Sequence, residues 1–383
     1  MPNTHCYHCG SPLTPANRSQ EHIIPNAIGG RWKSTDLWCA DCNRHFGATI
    51  DAVLCRDLSP FATLLDIGRE RGENQVIKNA HTGSGGRYHI GKGITPIDSK
   101  PTVQINKDTQ TVHISARNEE EVFLLVKQLK EKYPGLDDSD LASKFVVNNR
   151  YISESLHFQS GISGPAFIQA VLKIAVSAWL ENTKDPATIA SAIADLKRSP
   201  ENIQIYHRHY YTPELCHPDA DSVEHIIYIK GEPEKSLLYA YVELFSTYAF
   251  VFNLNDRYTG GACTYLYRCD VLTGAQSNMA PTINYTGTLP DKPDLNRHFI
   301  ELLQVKFDRL MSIADRRAES YHVGQLAERA FKSVIDKHPK GSEITESIMA
   351  EITTEVTRLS KEYARHMINM GLRKPANKKT SKD

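Results

Sequence analysis

The 383-residue chain is long enough for two domains with sizeable cores, and its 40% hydrophobic and 23% charged residues exclude a disordered or fibrous chain. Its 45 Lys and Arg balance 45 Asp and Glu, so a uniformly basic nucleic-acid coat is excluded and any such binding falls to local patches. No apolar run reaches the roughly 18 residues of a membrane span, since residues 167–180 are too few and carry Lys173. With no secretory signal visible, the expectation is a cytoplasmic protein with no membrane partner.

Residues 1–75 are loop-rich and dense in Cys, His and Gly. Residues 79–100, with Gly83, Gly85, Gly86, Gly91, Gly93 and Pro96, read as a linker or loops opening a second domain. Val103 and Ile105 alternate on one side of Lys107-Asp108-Thr109 and Val112 and Ile114 on the other, which predicts a hairpin. A helix follows, capped by Asn118, with Val122, Leu125, Val126 and Leu129 along one face. Gly164-Pro165 opens a helix over 166–181 that is apolar nearly all round and therefore buried; residues 187–197 predict a second, Ala-rich helix. Runs rich in Tyr, Val, Ile and Phe at 203–211, 223–230, 237–254 and 264–272 predict strands, the third long enough for two. Helix returns from Asn296 to Met370, its last segment beginning at Ser342. The expected division is a domain at 1–75, a larger α+β domain with antiparallel strands and C-terminal helices at 76–375, and a basic tail at 376–383 carrying Lys378, Lys379 and Lys382.

Of eight cysteines, four stand in two C-x-x-C pairs, Cys6/Cys9 and Cys39/Cys42. In a reducing compartment this spacing reads as metal binding, with four thiolates around one structural Zn²⁺ holding together a module that has little core of its own. Cys55, Cys216, Cys263 and Cys269 are scattered, the last two reading as core residues. His207-x-His209 with Cys216-His217 has metal-site spacing, but alternation in a Tyr-rich strand favours histidines of the sheet. Between the knuckles, Glu21-His22-Ile23-Ile24-Pro25 sets a carboxylate beside a histidine, a metal ligand next to a general base, although adjacent strand residues face opposite sides.

Glu21-His22-Ile23-Ile24-Pro25-Asn26-Ala27-Ile28-Gly29-Gly30, followed by Cys39-Ala40-Asp41-Cys42-Asn43-Arg44-His45-Phe46-Gly47, resembles the HNH endonuclease family over residues 1 to about 65. The resemblance implies a zinc-stabilised ββα-metal finger that cleaves DNA phosphodiester bonds. It implies His22 as the general base, Glu21 and Asn43 as ligands of a catalytic Mg²⁺ or Mn²⁺, and Asp36 as the brace of the histidine loop, with Asn26 as the alternative brace. Arg18, Arg31, Lys33 and Arg44 flank the motif as candidate phosphate contacts, and Gly29-Gly30 either lets DNA approach closely or makes an ordinary turn. About 300 residues beyond the finger exceed what cleavage needs. The expected role is therefore a bacterial antiviral-defence effector gated by its large domain, by self-association into a homo-oligomer or by a regulatory partner protein. A restriction or mobile-element endonuclease, or a non-catalytic zinc-dependent DNA-binding scaffold, are the alternatives.

Overall fold

The computed structural model describes residues 3–70, 72, 75–98, 100–106, 108–109, 111–116, 119–139, 152–159, 164–209, 221–288, 295–339 and 341–372. Lys107, Asn118, Cys216, His217 and the tail lysines Lys378, Lys379 and Lys382, all singled out from the sequence, lie outside the described residues. In chain order the elements are β1 (Glu21–His22), β2 (Lys33–Ser34), α1 (Ala40–Ala48), α2 (Ile50–Leu64), β3 (Ile77–His81), β4 (Arg87–Ile90), β5 (Pro96–Asp98), β6 (Thr102–Asn106), β7 (Thr111–Ser115), α3 (Glu119–Lys132), α4 (Pro165–Thr183), α5 (Ala190–Leu196), β8 (His207–His209), β9 (Glu224–Glu232), β10 (Leu237–Leu244), β11 (Tyr248–Asn255), β12 (Cys263–Asp270), α6 (Leu295–Ile335) and α7 (Glu346–Leu372). The architecture is α+β, helices with antiparallel strands.

The chain forms two compact units, Met1–Gln75 with Gln159–Arg317, and Val76–Phe158 with Ala318–Asp383. One crossing between units thus falls at residue 75, and the N-terminal residues share their unit with 159–317. The core of the first unit is an antiparallel sheet in the order β12-β9-β10-β11-β8. Both side-chain faces of β10 are buried, which is why its sequence runs apolar from Leu237 to Val242 without alternation. Tyr239 and Tyr241 face one way into a cluster with Ile226, Val251 and Tyr285. On the other face Phe250, opposite Val242, meets Phe167 of α4. The run 237–254 is cut into two strands by Phe245 and Ser246, both in the left-handed region (φ 57° and 50°), the geometry of a tight hairpin turn. Helix α4 is buried from Phe167 to Leu180, Lys173 included, and packs against α2.

In the second unit the segment expected to be a linker instead carries three paired strands, β3-β4-β5. The predicted hairpin is β6–β7, with Val103 opposite Ile114 and Ile105 opposite Val112. Val334 at the end of α6 packs with Ile348 and Ile352 of α7 in a small apolar cluster. Among the described residues no helix is long and apolar enough to cross a membrane.

Candidate active site

The N-terminal residues build the site in two layers, a cysteine cluster and a histidine loop. In the first knuckle Gly10 adopts φ 77° and returns its N–H to the Cys6 carbonyl, folding Cys6 and Cys9 onto one turn. In the second, Cys39 precedes α1 and Asn43 N–H closes the first turn on the Cys39 carbonyl, so Cys39 and Cys42 point the same way. All four Sγ atoms lie within 4.8 Å of one another, and Cys9 Sγ is 3.7 Å from Cys39 Sγ. Four sulfurs at about 2.3 Å from a central ion would stand about 3.8 Å apart in a tetrahedron, so the donor set fits structural Zn²⁺. Contact with Ser11 holds the Cys9 thiol down at about 6, while burial pushes the Cys6 and Cys42 thiols up. His8 Nδ1 lies 3.3 Å from Cys42 Sγ, and its ring packs against Phe46, which in turn meets Trp38.

β1 and β2 are two-residue strands with Glu21 opposite Ser34 and His22 opposite Lys33. Strand alternation sends the two motif side chains apart, Glu21 into the interior and His22 toward Glu70. His22 Nε2 stands 3.5 Å from Glu70 Oε1. Glu70 is held from two further sides: Lys33 Nζ donates to its Oε2 at 2.7 Å, and its own N–H donates to Asn26 Oδ1 at 2.9 Å. Burial lowers the His22 pKa below the usual histidine value, with Glu70 opposing. The imidazole is therefore neutral at neutral pH.

The loop after His22 is anchored by Ile23, Ile24 and Ile28, all at most 1% exposed. Each such side chain contributes about 1.5–3 kcal/mol by burial. Gly29 sits at φ 94°, and a Cβ on Gly30 would lie 1.8 Å from the Ile24 carbonyl oxygen. Both glycines are thus demanded by the turn itself. The turn is pinned by fully buried His225, whose Nε2 donates to the Ile28 carbonyl at 2.7 Å while Nδ1 accepts the Phe245 N–H at 3.1 Å. Trp32 stacks on Tyr267 at 5.2 Å between ring centres.

The remaining motif residues take up local work. Asn43 Nδ2 donates to Ser19 Oγ at 2.7 Å, fastening α1 to the chain entering β1. Asp36 pairs with Arg18, whose guanidinium also donates to the Asn3 carbonyl. Asn26, rather than Asp36, touches the residue that faces His22. Of the four flanking cations, Arg18 and Lys33 are engaged with Asp36 and Glu70, while Arg31 and Arg44 are exposed, Arg44 with Asp41 at 3.0 Å.

Glu21 ends in an ion cluster that the motif does not foretell. Its carboxylate accepts from Lys173 Nζ, which also donates to Asp51 Oδ2 at 2.6 Å and lies 5.2 Å from the Phe46 ring centre. Burial by itself would lower the Lys173 pKa, but Asp51 and Glu21 outweigh it and keep the amine charged; burial pushes the Glu21 carboxyl up. As they stand, Glu21 and Asn43 do not form an open oxygen-donor set for a hard divalent cation. Among the described residues the one cluster of three or more His, Cys, Asp or Glu arranged to hold a metal is the cysteine cluster.

Residues 6–59 match a family model described as HNH endonuclease. No curated protein and no solved structure matches the chain. The HNH segment contains both knuckles, Glu21, His22 and Asn43, and ends within α2. Glu70, Lys173 and His225 lie beyond it and are not singled out by sequence pattern. One signal was present for Lys173: a lone cation in an otherwise apolar helix needs a buried carboxylate partner.

Proposed function

We propose that this protein is a DNA endonuclease that hydrolyses phosphodiester bonds with His22 as the general base. The observation that carries the reading is the His22 imidazole at the end of β1, 3.5 Å from Glu70, inside a segment that matches the HNH endonuclease model. A neutral imidazole can take the proton of a water that attacks phosphorus, and the Glu70 carboxylate then stabilises the imidazolium that forms. The exposed guanidinium groups of Arg31 and Arg44 supply contacts to phosphate oxygens that set the position of the strand. Mg²⁺ or Mn²⁺, the cofactor implied by the resemblance, has no open donor pair while Glu21 is held by Lys173, and no step is assigned to it.

The chain leaves the first unit at Gln75, only a few residues after Glu70. Control by the second unit, through a signal, a partner protein or self-association, therefore has a covalent route to the carboxylate behind His22. A defence effector that must be restrained in its host cytoplasm would use such a route. The test is nicking of supercoiled plasmid by purified protein with Mg²⁺ or Mn²⁺ supplied. His22→Ala should reduce the rate by about 10²–10⁴-fold while zinc content and circular dichroism stay unchanged. Unaltered cleavage by the folded variant refutes the assignment.

A further inference from the structure

Lys173 is 1% exposed and stands on α4, which is buried from Phe167 to Leu180. A charge so placed survives only if its partners meet it directly, and two carboxylates do: Glu21 from β1 and Asp51 from the first turn of α2. The arrangement has the features of a cation site. Two acidic oxygens converge from separate elements of the HNH segment, the Phe46 ring covers another side, and the positive charge arrives from a residue 152 positions away from Glu21. Glu21 is 5% exposed, so the carboxylate is shut off from bulk solvent.

We infer that the resident cation at Glu21 is the Lys173 ammonium, which occupies the position a divalent ion would take, so that Glu21 is a partner of α4 and not a metal ligand. Two carboxylates from separate elements each give the one ammonium an oxygen, the kind of donor that a hard cation prefers. Glu21 then takes its counter-charge from α4 and not from within the first 75 residues. The inference stands on this cluster alone and does not rest on the nuclease reading.

The test is Mn²⁺ binding by the full chain, followed by electron paramagnetic resonance with zinc retained and no DNA present. Wild type and Glu21→Gln should give the same isotherm. Lys173→Met, which keeps the length of the side chain and removes its charge, should gain a Mn²⁺ site at least about tenfold tighter than anything in the wild type. That site should vanish when Glu21→Gln is added. A wild-type Mn²⁺ site lost in Glu21→Gln overturns the inference, as does a folded Lys173→Met protein with no new site. Should Lys173→Met fail to fold, the comparison of wild type with Glu21→Gln decides by itself. Loss of plasmid cleavage, by contrast, tests His22 and leaves these isotherms untouched.

Discussion

His225 joins the loop after His22 to the central sheet, and His225→Phe tests that joint with a magnitude the structure supplies. The imidazole donates to Ile28 O and accepts from Phe245 N–H, so a phenyl ring of similar size leaves one buried carbonyl and one buried N–H without a partner. Each orphaned group costs about 1–3 kcal/mol, which makes the variant less stable by about 2–6 kcal/mol at neutral pH. Protonation adds a second signature. Burial holds the His225 pKa down at about 4, against 6.5 for an ordinary histidine. Between those values the unfolded chain binds a proton that the folded protein refuses, so this residue makes stability fall as pH falls. From about pH 7 to about pH 5 the loss is about 2 kcal/mol, and the variant lacks it. The gap between wild type and His225→Phe should therefore narrow by about 2 kcal/mol at the lower pH. Guanidinium unfolding of both proteins, zinc in excess, measures it; groups common to the two chains cancel in the difference. An equal gap at both pH values would mean that His225 is not a buried neutral donor, and the account of the loop would fall with it.

Cys39→Ser should release the single zinc and unfold the N-terminal module, read by metal analysis and by loss of near-ultraviolet dichroism from Trp32 and Trp38; metal content unchanged from wild type would contradict the tetrahedral assignment. Glu70→Gln should lower the cleavage rate by about tenfold and move the acid limb of the pH–rate profile to lower pH, since Glu70 opposes the burial that depresses His22. An acid limb at or above that of wild type would show that Glu70 does not face the base. Gly30→Ala should destabilise the first unit by more than the about 1–3 kcal/mol of an ordinary overpacked side chain, because the new methyl meets the Ile24 backbone; thermal unfolding near the wild-type temperature would refute it.

Local chemistry makes part of this protein legible in its sequence. Two C-x-x-C turns bring their sulfurs together by short-range geometry, the hairpin of β6 and β7 follows from alternation about a turn, and α4 announces itself by an apolar run behind Gly164-Pro165. The motif around Glu21, His22 and Asn43 is equally plain, because its order and spacing are sequence properties. The glycine-rich stretch at 79–100 misleads, since glycines that break a chain into loops can also separate short strands, and only pairing between strands tells the two apart. What tertiary structure alone decides is which groups meet across long separations. His225 reaches Ile28 across 197 residues and Lys173 reaches Glu21 across 152. A buried charge or imidazole must find a partner, but nothing local to it names that partner; the fold chooses it when apolar burial of α4 and the central sheet brings those elements against the HNH segment.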